Sequence, residues 1–327
     1  MAVVPVAGVG TRLRPHTHTQ PKVLLQVAGK PILAHILDDL PRLGISRAVL
    51  IVGHMGERIV EFVRSRYRYP TLEAEFVEQP ERLGLGHAVS LAEPFADDRP
   101  MLIILGDTIF EADLGSVLRG GTSSIGVKPV KDPQRFGIVE TNGQGRVVRM
   151  VEKPDRPSSN LAITGVYYFT HGKPLFDALR ELREKNVRTR GEFQLTDAMQ
   201  LLVERGETIT TFPIDGWYDC GKTETLLETN RVLLEKHSAT ADLPGSLVCG
   251  PVSVAEGAVV EACIIGPHVS IAAGARLRHA VVRNSIINPN ARVENVLLEG
   301  SVVGDSAIVM GRFKRVNVGD SSELSIT

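Results

Sequence analysis

The residues near the start of the chain have the types and spacing that a phosphate-binding loop needs. They are Gly8, Gly10, Thr11, Arg12 and Lys22. Glycines let backbone amides approach phosphate oxygens, an Arg can bind two oxygens at once, and a Lys supplies a compact charge. A plain strand-to-helix turn would explain the glycines, but such a turn needs no guanidinium directly behind them. Leu13 stands where the dinucleotide-binding fingerprint has its third glycine, which excludes that motif.

Two carboxylates far apart in the sequence are candidate metal ligands. Asp107 follows the apolar run at residues 101–105, and Asp219 lies in the sequence WYDCGK. If the strands before them belong to one parallel sheet, both carboxylates meet at its ligand-binding edge. Two hard oxygen ligands, completed by substrate phosphates and water, suit Mg²⁺. The alternative for Asp107 is an aspartate that caps a turn.

A second phosphate-binding pattern occurs at residues 216–223, where GWYDCGKT satisfies G-x-x-x-x-G-K-[ST]. A phosphate-cradling loop needs small residues that leave its amides accessible, whereas this segment contains Trp217, Tyr218 and Asp219. A carboxylate inside the cradle would repel the ligand. We therefore reject the P-loop interpretation and keep Asp219 as a metal ligand.

The elements that must position these residues alternate between strand and helix over about the first 235 residues. Apolar runs such as AVVPV, RAVLIVG and MLIILGD are typical of buried parallel strands, and amphipathic segments such as PILAHILDDL separate them. Four strand-like runs with few helices between them, in residues 123–169, extend the sheet or add a flap. The pattern predicts an α/β, Rossmann-like fold whose mixed, mainly parallel sheet has helices on both faces.

After about residue 240 the sequence pattern changes: long amphipathic segments end, and short runs of β-branched residues lie between Gly, Pro, Asn and Ala. The tetrapeptides GAVV, GARL, NARV and SAIV start at residues 257, 274, 290 and 306, at intervals of 17, 16 and 16 residues. So short and constant a period favours a β-solenoid over a β-sandwich, with a small alanine in the core at each corner. We therefore predict two domains, at residues 1–240 and 241–327.

Composition and charge exclude several classes of protein. The net charge of −1 gives no basic excess to attract nucleic acid or an anionic membrane. No apolar run is long enough to span a bilayer, and no signal peptide is expected. The three cysteines, Cys220, Cys249 and Cys263, are too few and too scattered for a disulfide framework or a zinc site, so a reducing cytoplasm is predicted.

The motifs also resemble, in order, those of a known enzyme family. AGVGTRLRP with its following PK, EQPERLGLGHA, LGDTIF, RFGIVE, VEKP, ITGVYYF, GEFQLTDAM and WYDCGK are similar to the signatures of the sugar-1-phosphate nucleotidyltransferases. The resemblance covers essentially residues 1–235. The tail resembles the left-handed parallel β-helix that many members carry, and the predicted handedness comes from this resemblance alone.

The resemblance implies a role for each matching residue. The implied catalytic residues are Arg12, Lys22, Asp107 and Lys153, and the implied metal ligands are Asp107 and Asp219, with Mg²⁺ as cofactor. The implied nucleotide-binding residues are Ala7, Gly8, Gly10, Thr11, Arg12, Lys22, Gln79 and Gly84. The implied sugar-binding residues are Gly137, Glu152, Lys153, Gly165, Glu192 and Trp217. For Glu192 a helix-capping role is an equally good local explanation, and Trp217 could instead be a plain core residue.

The expected reaction transfers a nucleoside monophosphate from UTP or dTTP to a sugar 1-phosphate, with glucose 1-phosphate as the commonest sugar in the family. The sequence leaves the base open, because LGLGHA resembles uridylyltransferases and LGDTIF resembles thymidylyltransferases. A catalytically silent homologue that senses nucleotide sugars is the alternative, and a P-loop NTPase ranks third. We also expect a homo-oligomer, in which the β-helix serves stability, assembly or regulation.

Overall fold

The computed structural model describes residues 1–66, 71–237, 242–313, 318 and 321. Contacts divide the chain into two compact units, the first comprising Met1–Leu25 and Lys30–Leu226 and the second comprising Gln26–Gly29 and Leu227–Thr327. The domain boundary predicted at residues 240 and 241 falls in the segment 238–241, outside the described residues.

Residues 1–237 contain seven α-helices and thirteen strands in their described part. The helices are α1 (Ile32–Arg42), α2 (Gly56–Arg66), α3 (Leu85–Ser90), α4 (Leu114–Arg119), α5 (Lys173–Glu184), α6 (Leu195–Glu204) and α7 (Thr223–His237). The strands are β1 (Ala2–Pro5), β2 (Gln26–Val27), β3 (Lys30–Pro31), β4 (Arg47–Val52), β5 (Glu73–Glu78), β6 (Met101–Ile104), β7 (Thr108–Glu111), β8 (Ser123–Pro129), β9 (Gly137–Thr141), β10 (Val147–Glu152), β11 (Leu161–Phe169), β12 (Ile209–Pro213) and β13 (Gly216–Asp219).

The main sheet is mixed and has nine strands, as the alternating pattern predicts. Its path runs β10-β9-β11-β6-β1-β4-β5, with β8 pairing both β11 and β12. The strands β6, β1, β4 and β5 are parallel neighbours, whereas β11 runs antiparallel to β6 and β8. The four strand-like runs in residues 123–169 are β8 to β11, and they extend this sheet. The carboxyl ends of β1, β5 and β6 lie at one edge, where an open α/β sheet binds its ligand.

Each face of the main sheet packs on its own hydrophobic core. Val3 faces the core that includes side chains of α3, α5 and α6, while Ala2 and Val4 face the core that includes side chains of α1, α2 and α4. All three side chains are fully buried, as expected for a central strand covered on both faces. Helices therefore cover both faces of the sheet, with α3, α5 and α6 on one face and α1, α2 and α4 on the other.

A small antiparallel sheet corrects the sequence argument about the two aspartates. Asp107 follows β6 of the main sheet, but Asp219 ends β13, which pairs only with β7 among the described strands. The condition that both preceding strands belong to one parallel sheet is therefore not met. The register of β13 on β7 nevertheless pairs Asp219 with Thr108, the residue next to Asp107. This pair places Asp219 opposite the residue that follows Asp107.

The second unit contains a parallel β-helix that agrees with the predicted left-handed solenoid. Its strands are β14 (Leu247–Val248), β15 (Val252–Val254), β16 (Val259–Glu261), β17 (Ile264–Ile265), β18 (Val269–Ile271), β19 (Arg276–Arg278), β20 (Val281–Arg283), β21 (Ile286–Ile287), β22 (Arg292–Glu294), β23 (Leu297–Glu299), β24 (Val302–Val303) and β25 (Ile308–Met310). They form three parallel stacks, each of four strands. The stack of β16, β19, β22 and β25 pairs Val259 with Arg276, Arg276 with Arg292, and Arg292 with Ile308, which reproduces the predicted intervals. Of the four alanines predicted at the corners, Ala275 and Ala291 are fully buried in the core, and Ala258 and Ala307 are partly buried.

Candidate active site

The opening loop folds back on itself after β1. Gly10 has a φ of 68°, in the left-handed region, and the hydroxyl of Thr17 donates to its carbonyl at 2.8 Å. A Cβ on Gly10 would lie 2.9 Å from the Cβ of Lys22, whereas a Cβ on Gly8 would have no neighbour within 4 Å. The absence of a side chain at Gly10 therefore lets Lys22 pack against the loop. Beside Gly8, by contrast, the space that a side chain would occupy is empty of protein atoms. Thr11 and Arg12 follow in a short 3₁₀ turn and are exposed.

Lys22 lies at the end of this loop, with its side chain almost fully buried. Its ammonium forms an ion pair with Asp107, with an Nζ–Oδ2 distance of 2.7 Å, although the two residues are 85 positions apart. The Asp107 carboxylate is about half exposed, its side chain having a relative exposure of 46%. One cation and one carboxylate are thus fixed together at the carboxyl edge of the sheet, with the carboxylate open to a ligand.

Arg12 and Asp219 approach the same point from two sides. A Cβ on Gly221 would lie 2.9 Å from Nη2 of Arg12 and 2.7 Å from Oδ1 of Asp219. Within the described part of the chain, neither side chain has a hydrogen bond or an ion pair. Gly221 therefore provides the gap in which a guanidinium and a carboxylate face each other, and this carboxylate belongs to Asp219, the cross-strand partner of Thr108.

A cavity of about 330 Å³ opens at this edge. The residues around it include seven that the sequence singles out: Ala7, Gly8, Lys22, Gln79, Gly84, Asp107 and Glu192. Leu85, Ala88 and Leu105 give it an apolar wall, and the exposed Arg82 lies at the same cavity. Gly8 and Lys22 reach the cavity from the loop after β1, Asp107 from the end of β6, and Gln79 and Gly84 from the segment after β5. Such a mixture of apolar wall and few polar groups is typical of small-molecule sites.

Gln79 and Gly84 are held together after β5. The Gln79 side-chain amide Nε2 donates to the Gly84 carbonyl at 3.2 Å. Gly84 has a φ of 107°, and a Cβ there would lie 2.6 Å from the carbonyl oxygen of Phe193. Gly84 is thus required both by its backbone conformation and by the close approach of the segment at residues 192–194.

Glu152, Lys153 and Gly137 form a separate cluster, which does not line this cavity. Glu152 accepts a hydrogen bond from the hydroxyl of Thr196 at 2.7 Å and forms an ion pair with Lys153 at 3.3 Å. A Cβ on Gly137 would lie 2.8 Å from the Glu152 carboxylate. Asp197, next to Thr196, has one buried carboxylate oxygen without a partner among the described residues, and burial raises the pKa of this carboxyl group.

The remaining predicted sugar-binding residues lie in three different settings. Gly165 has a φ of 92° and its carbonyl accepts from Leu105 N at 2.9 Å, so it packs directly behind the cavity wall. Glu192 lines the cavity beside Gly84, and helix α6 has no side-chain cap, so the capping alternative for Glu192 is not what the structure shows. Trp217 packs on Phe136 with ring centroids 5.1 Å apart, and its buried Nε1 has no partner in the described part of the chain.

The first four residues of the segment that matches the P-loop pattern form a strand, and only three residues separate this strand from α7. Trp217, Tyr218 and Asp219 belong to strand β13 and are paired in register with Phe110, Ile109 and Thr108. Backbone amides in a strand ladder do not curve around an anion as those of a phosphate-cradling loop do. The geometry thus agrees with rejecting the P-loop interpretation.

Three residues at these sites escape sequence reasoning. Arg82 and His87 lie within EQPERLGLGHA, but neither their residue types nor their spacing indicates that they contact a ligand or a site residue. Thr196 lies in a segment whose pattern predicts only an amphipathic helix. A search of the described residues finds no group of three or more His, Cys, Asp or Glu side chains that could hold a metal ion. None of the helices in the described ranges combines the length and apolarity that a membrane span requires.

Comparison with known proteins assigns the family. A family model described as nucleotidyl transferase matches residues 1–236. The chain is 34% identical to the low-salt glycan biosynthesis nucleotidyltransferase Agl11 of Haloferax volcanii, over 98% of each chain. It is 38% identical to the UTP–glucose-1-phosphate uridylyltransferase AglF of the same organism, over 72% of this chain and 97% of AglF.

A solved structure agrees with this assignment. A Bacillus anthracis protein described as a glucose-1-phosphate thymidylyltransferase superposes with a TM-score of 0.61 at 26% identity, over 71% of this chain and 94% of that one. These matches, together with the ordered motifs and the mixed sheet, identify the chain as a nucleotidyltransferase that belongs to the sugar-1-phosphate nucleotidyltransferase family.

Proposed function

We propose that this nucleotidyltransferase joins UTP or dTTP to a sugar 1-phosphate, with glucose 1-phosphate the first candidate, and releases pyrophosphate. The observation that carries the proposal is the cavity that Gly8, Lys22 and Asp107 share with Gln79 and Gly84. Phosphate-binding and base-binding groups are thereby available to one nucleotide. Relatives named for uridylyl and for thymidylyl transfer support both bases, so the choice between UTP and dTTP is left to experiment.

The reaction needs positioning and charge neutralisation more than covalent chemistry. An oxygen of the sugar 1-phosphate attacks the α-phosphorus, and pyrophosphate leaves from the opposite side. Arg12 has no ion pair with any described residue, so its guanidinium is available for the β- and γ-phosphates. Lys22 holds a charge against the glycine loop, and Lys153, beside Glu152, is the candidate for the sugar phosphate.

The carboxylates of Asp107 and Asp219 fit a divalent ion. They are hard oxygen donors, both are at least partly exposed, and Asp219 pairs across the strands with the neighbour of Asp107. Mg²⁺ typically takes one or two carboxylates and completes its shell with water and substrate phosphates, which matches a site with only two protein ligands. When bound, Mg²⁺ would neutralise phosphate charge and polarise the attacked phosphorus.

Two further features of the proposal concern the protein as a whole. The three cysteines are free thiols, two of them buried, which fits a reducing cytoplasm. We also propose that the protein is a homo-oligomer. Support comes from one outer face of the β-helix, where Leu247, Ile264, Val281 and Leu297 occupy the same register position in four successive coils. No nucleic acid or membrane partner is proposed.

An assay of product formation tests the proposed function. The protein is mixed with Mg²⁺, glucose 1-phosphate and each nucleoside triphosphate in turn, and pyrophosphate and phosphate are measured separately. We expect pyrophosphate only when the sugar phosphate and UTP or dTTP are both present. Absence of pyrophosphate with a panel of sugar 1-phosphates would favour the silent sensor, and inorganic phosphate released without sugar would favour an NTPase.

A further inference from the structure

Two groups contact the side-chain nitrogen of Gln79, a backbone carbonyl and a histidine ring. This nitrogen lies 3.2 Å from the carbonyl oxygen of Gly84 and 3.1 Å from Nδ1 of His87. The backbone of Gln79 is itself fixed, because its N–H donates to Val52 O at 2.7 Å. The main chain of Gln79 is thus held against β4, and its side-chain amide is held by these two contacts.

The Gly84 carbonyl decides that orientation. A carbonyl oxygen can only accept, so the amide group must turn its NH₂ toward Gly84, and the same NH₂ then faces His87. Nδ1 of His87 must accept the second N–H, which places the ring proton on Nε2. With the amide turned the other way, Gln79 Oε1 would face the Gly84 oxygen, and both acceptors would lose their donor.

The surroundings of His87 keep Nδ1 free of a proton. His87 lies buried in α3, and burial is the largest cause that lowers the pKa of its imidazole below the usual 6.5, followed by the charge of Arg183 in α5. A hydrogen bond with the Glu81 backbone and the charge of Glu81 raise the pKa, but by less. His87 is therefore neutral at pH 7 and can accept from Gln79.

The remaining atom of the Gln79 amide, Oε1, has no hydrogen-bond partner within the described ranges, and Gln79 lines the cavity. We propose that His87 is a positioning residue that locks Gln79 with Oε1 available to the ligand, so that the site selects a base with an N–H donor at the centre of its pairing edge. Uracil, thymine and guanine carry such a donor, whereas cytosine and adenine present a bare nitrogen there. This inference rests on the proposed function, in which Gln79 contacts the base.

With uracil or thymine, Oε1 of Gln79 accepts a hydrogen bond from the base N–H. With cytosine, the same oxygen faces a bare ring nitrogen, and the two acceptors repel each other. A buried acceptor left without its donor costs enough to change an affinity ratio by about tenfold or more. Cavity size does not separate uracil from cytosine, because the two bases have nearly the same shape. The UTP-to-CTP affinity ratio therefore reports the amide orientation specifically.

Equilibrium binding of UTP, dTTP and CTP, each with Mg²⁺, tests the inference in the wild type and in two variants. His87→Leu removes the acceptor at Nδ1, and His87→Asn retains an acceptor near the same position. We expect the wild type to bind UTP and dTTP at least tenfold more tightly than CTP, His87→Leu to lose most of this ratio, and His87→Asn to keep most of it. A wild type without preference, or a His87→Leu variant with an unchanged ratio, would overturn the inference.

A pH series provides a readout that does not depend on His87→Leu folding. Because the pKa of His87 is lowered, the wild-type UTP-to-CTP ratio should stay constant from pH 8 to 6.5 and fall only below that range, when Nδ1 gains a proton and repels the Gln79 NH₂. The ratio for His87→Asn should not change with pH, and a wild-type ratio that already falls between pH 8 and 6.5 would contradict the role of a neutral His87. Pyrophosphate formation is measured separately, so a protein that prefers UTP but makes no pyrophosphate contradicts the proposed function alone.

Discussion

Gly8 and Gly10 lie two positions apart in the opening loop but differ in their surroundings, since only Gly10 is in close contact with another residue. Gly10 adopts a left-handed φ and touches Lys22, so Gly10→Ala should destabilise the protein by about 1–3 kcal/mol. A Cβ on Gly8 meets no protein atom within 4 Å, so Gly8→Ala should leave the melting temperature unchanged. If the open space is where phosphates lie, Gly8→Ala should still raise KM for the triphosphate about tenfold. Thermal unfolding and steady-state kinetics test both changes, and normal kinetics of folded Gly8→Ala would place the ligand elsewhere.

Replacement of Arg12 should lower the activity of the protein without lowering its stability. It is exposed and has no ion pair with a described residue, so Arg12→Ala should leave thermal unfolding unaltered. Loss of a group that neutralises charge in the transition state should lower kcat/KM by about 10²-fold or more. Arg14→Ala is the matched control, since Arg14 is also exposed but is not proposed to bind phosphate, and it should stay within about threefold of the wild type. Equal losses in the two variants would indicate a general effect of surface charge.

At the residue scale, sequence reasoning finds groups whose chemistry is local and overlooks those that act through a neighbour. The glycines, Arg12 and Lys22 are visible because they follow one another after a strand. His87 is not visible, because its role depends on the Gly84 carbonyl and on Gln79, which reach it only through the turn after β5. The residues proposed to touch the sugar remain predictions, and the cluster of Glu152, Lys153 and Thr196 gives them a defined starting geometry.

At the element scale, the strand pairing that places Asp219 opposite Thr108 could not be deduced from the sequence. The short strand β13 pairs with β7 over about one hundred residues of sequence separation, and four residues carry no periodicity strong enough to reveal a separate sheet. The β-helix is the opposite case. Its side-chain pattern repeats with each coil, so the intervals of 17, 16 and 16 residues already specify which residues stack.

A buried asparagine in the second unit should be a major contributor to the stability of that unit. Asn230 in α7 accepts from Ala28 N at 2.9 Å and from the Ser270 hydroxyl at 2.6 Å, and it donates to the carbonyl of His268 at 3.2 Å. Ala28 has a φ of 49°, which is costly for a residue with a Cβ unless its surroundings hold it. Asn230→Ala should therefore lower the free energy of unfolding by about 3 kcal/mol, and Ser270→Ala by about 1 kcal/mol. Denaturant unfolding measures both, and a smaller effect for Asn230→Ala than for Ser270→Ala would refute this ranking.

At the scale of the whole molecule, the exposed column on the β-helix predicts self-association. Leu247 and Leu297 are 59% and 82% exposed, and an aligned apolar column of this kind is costly to leave in water. Leu297→Glu should shift the mass measured by light scattering from an oligomer toward the monomer. Met310→Glu, which changes an exposed apolar residue in a different stack, should leave the mass unchanged. A monomeric wild type would contradict the proposed homo-oligomer.

The central claim is that Asp107 and Asp219 hold one divalent ion beside the glycine loop, with the nucleotide phosphates between that ion and the cations. A crystal structure with Mn²⁺ and a non-hydrolysable UTP analogue, recorded at the manganese absorption edge, tests it most directly. The account predicts one anomalous peak within bonding distance of both carboxylates, with triphosphate oxygens against Gly8, Arg12 and Lys22. A peak bound to only one aspartate, or phosphates located away from this loop, would contradict it.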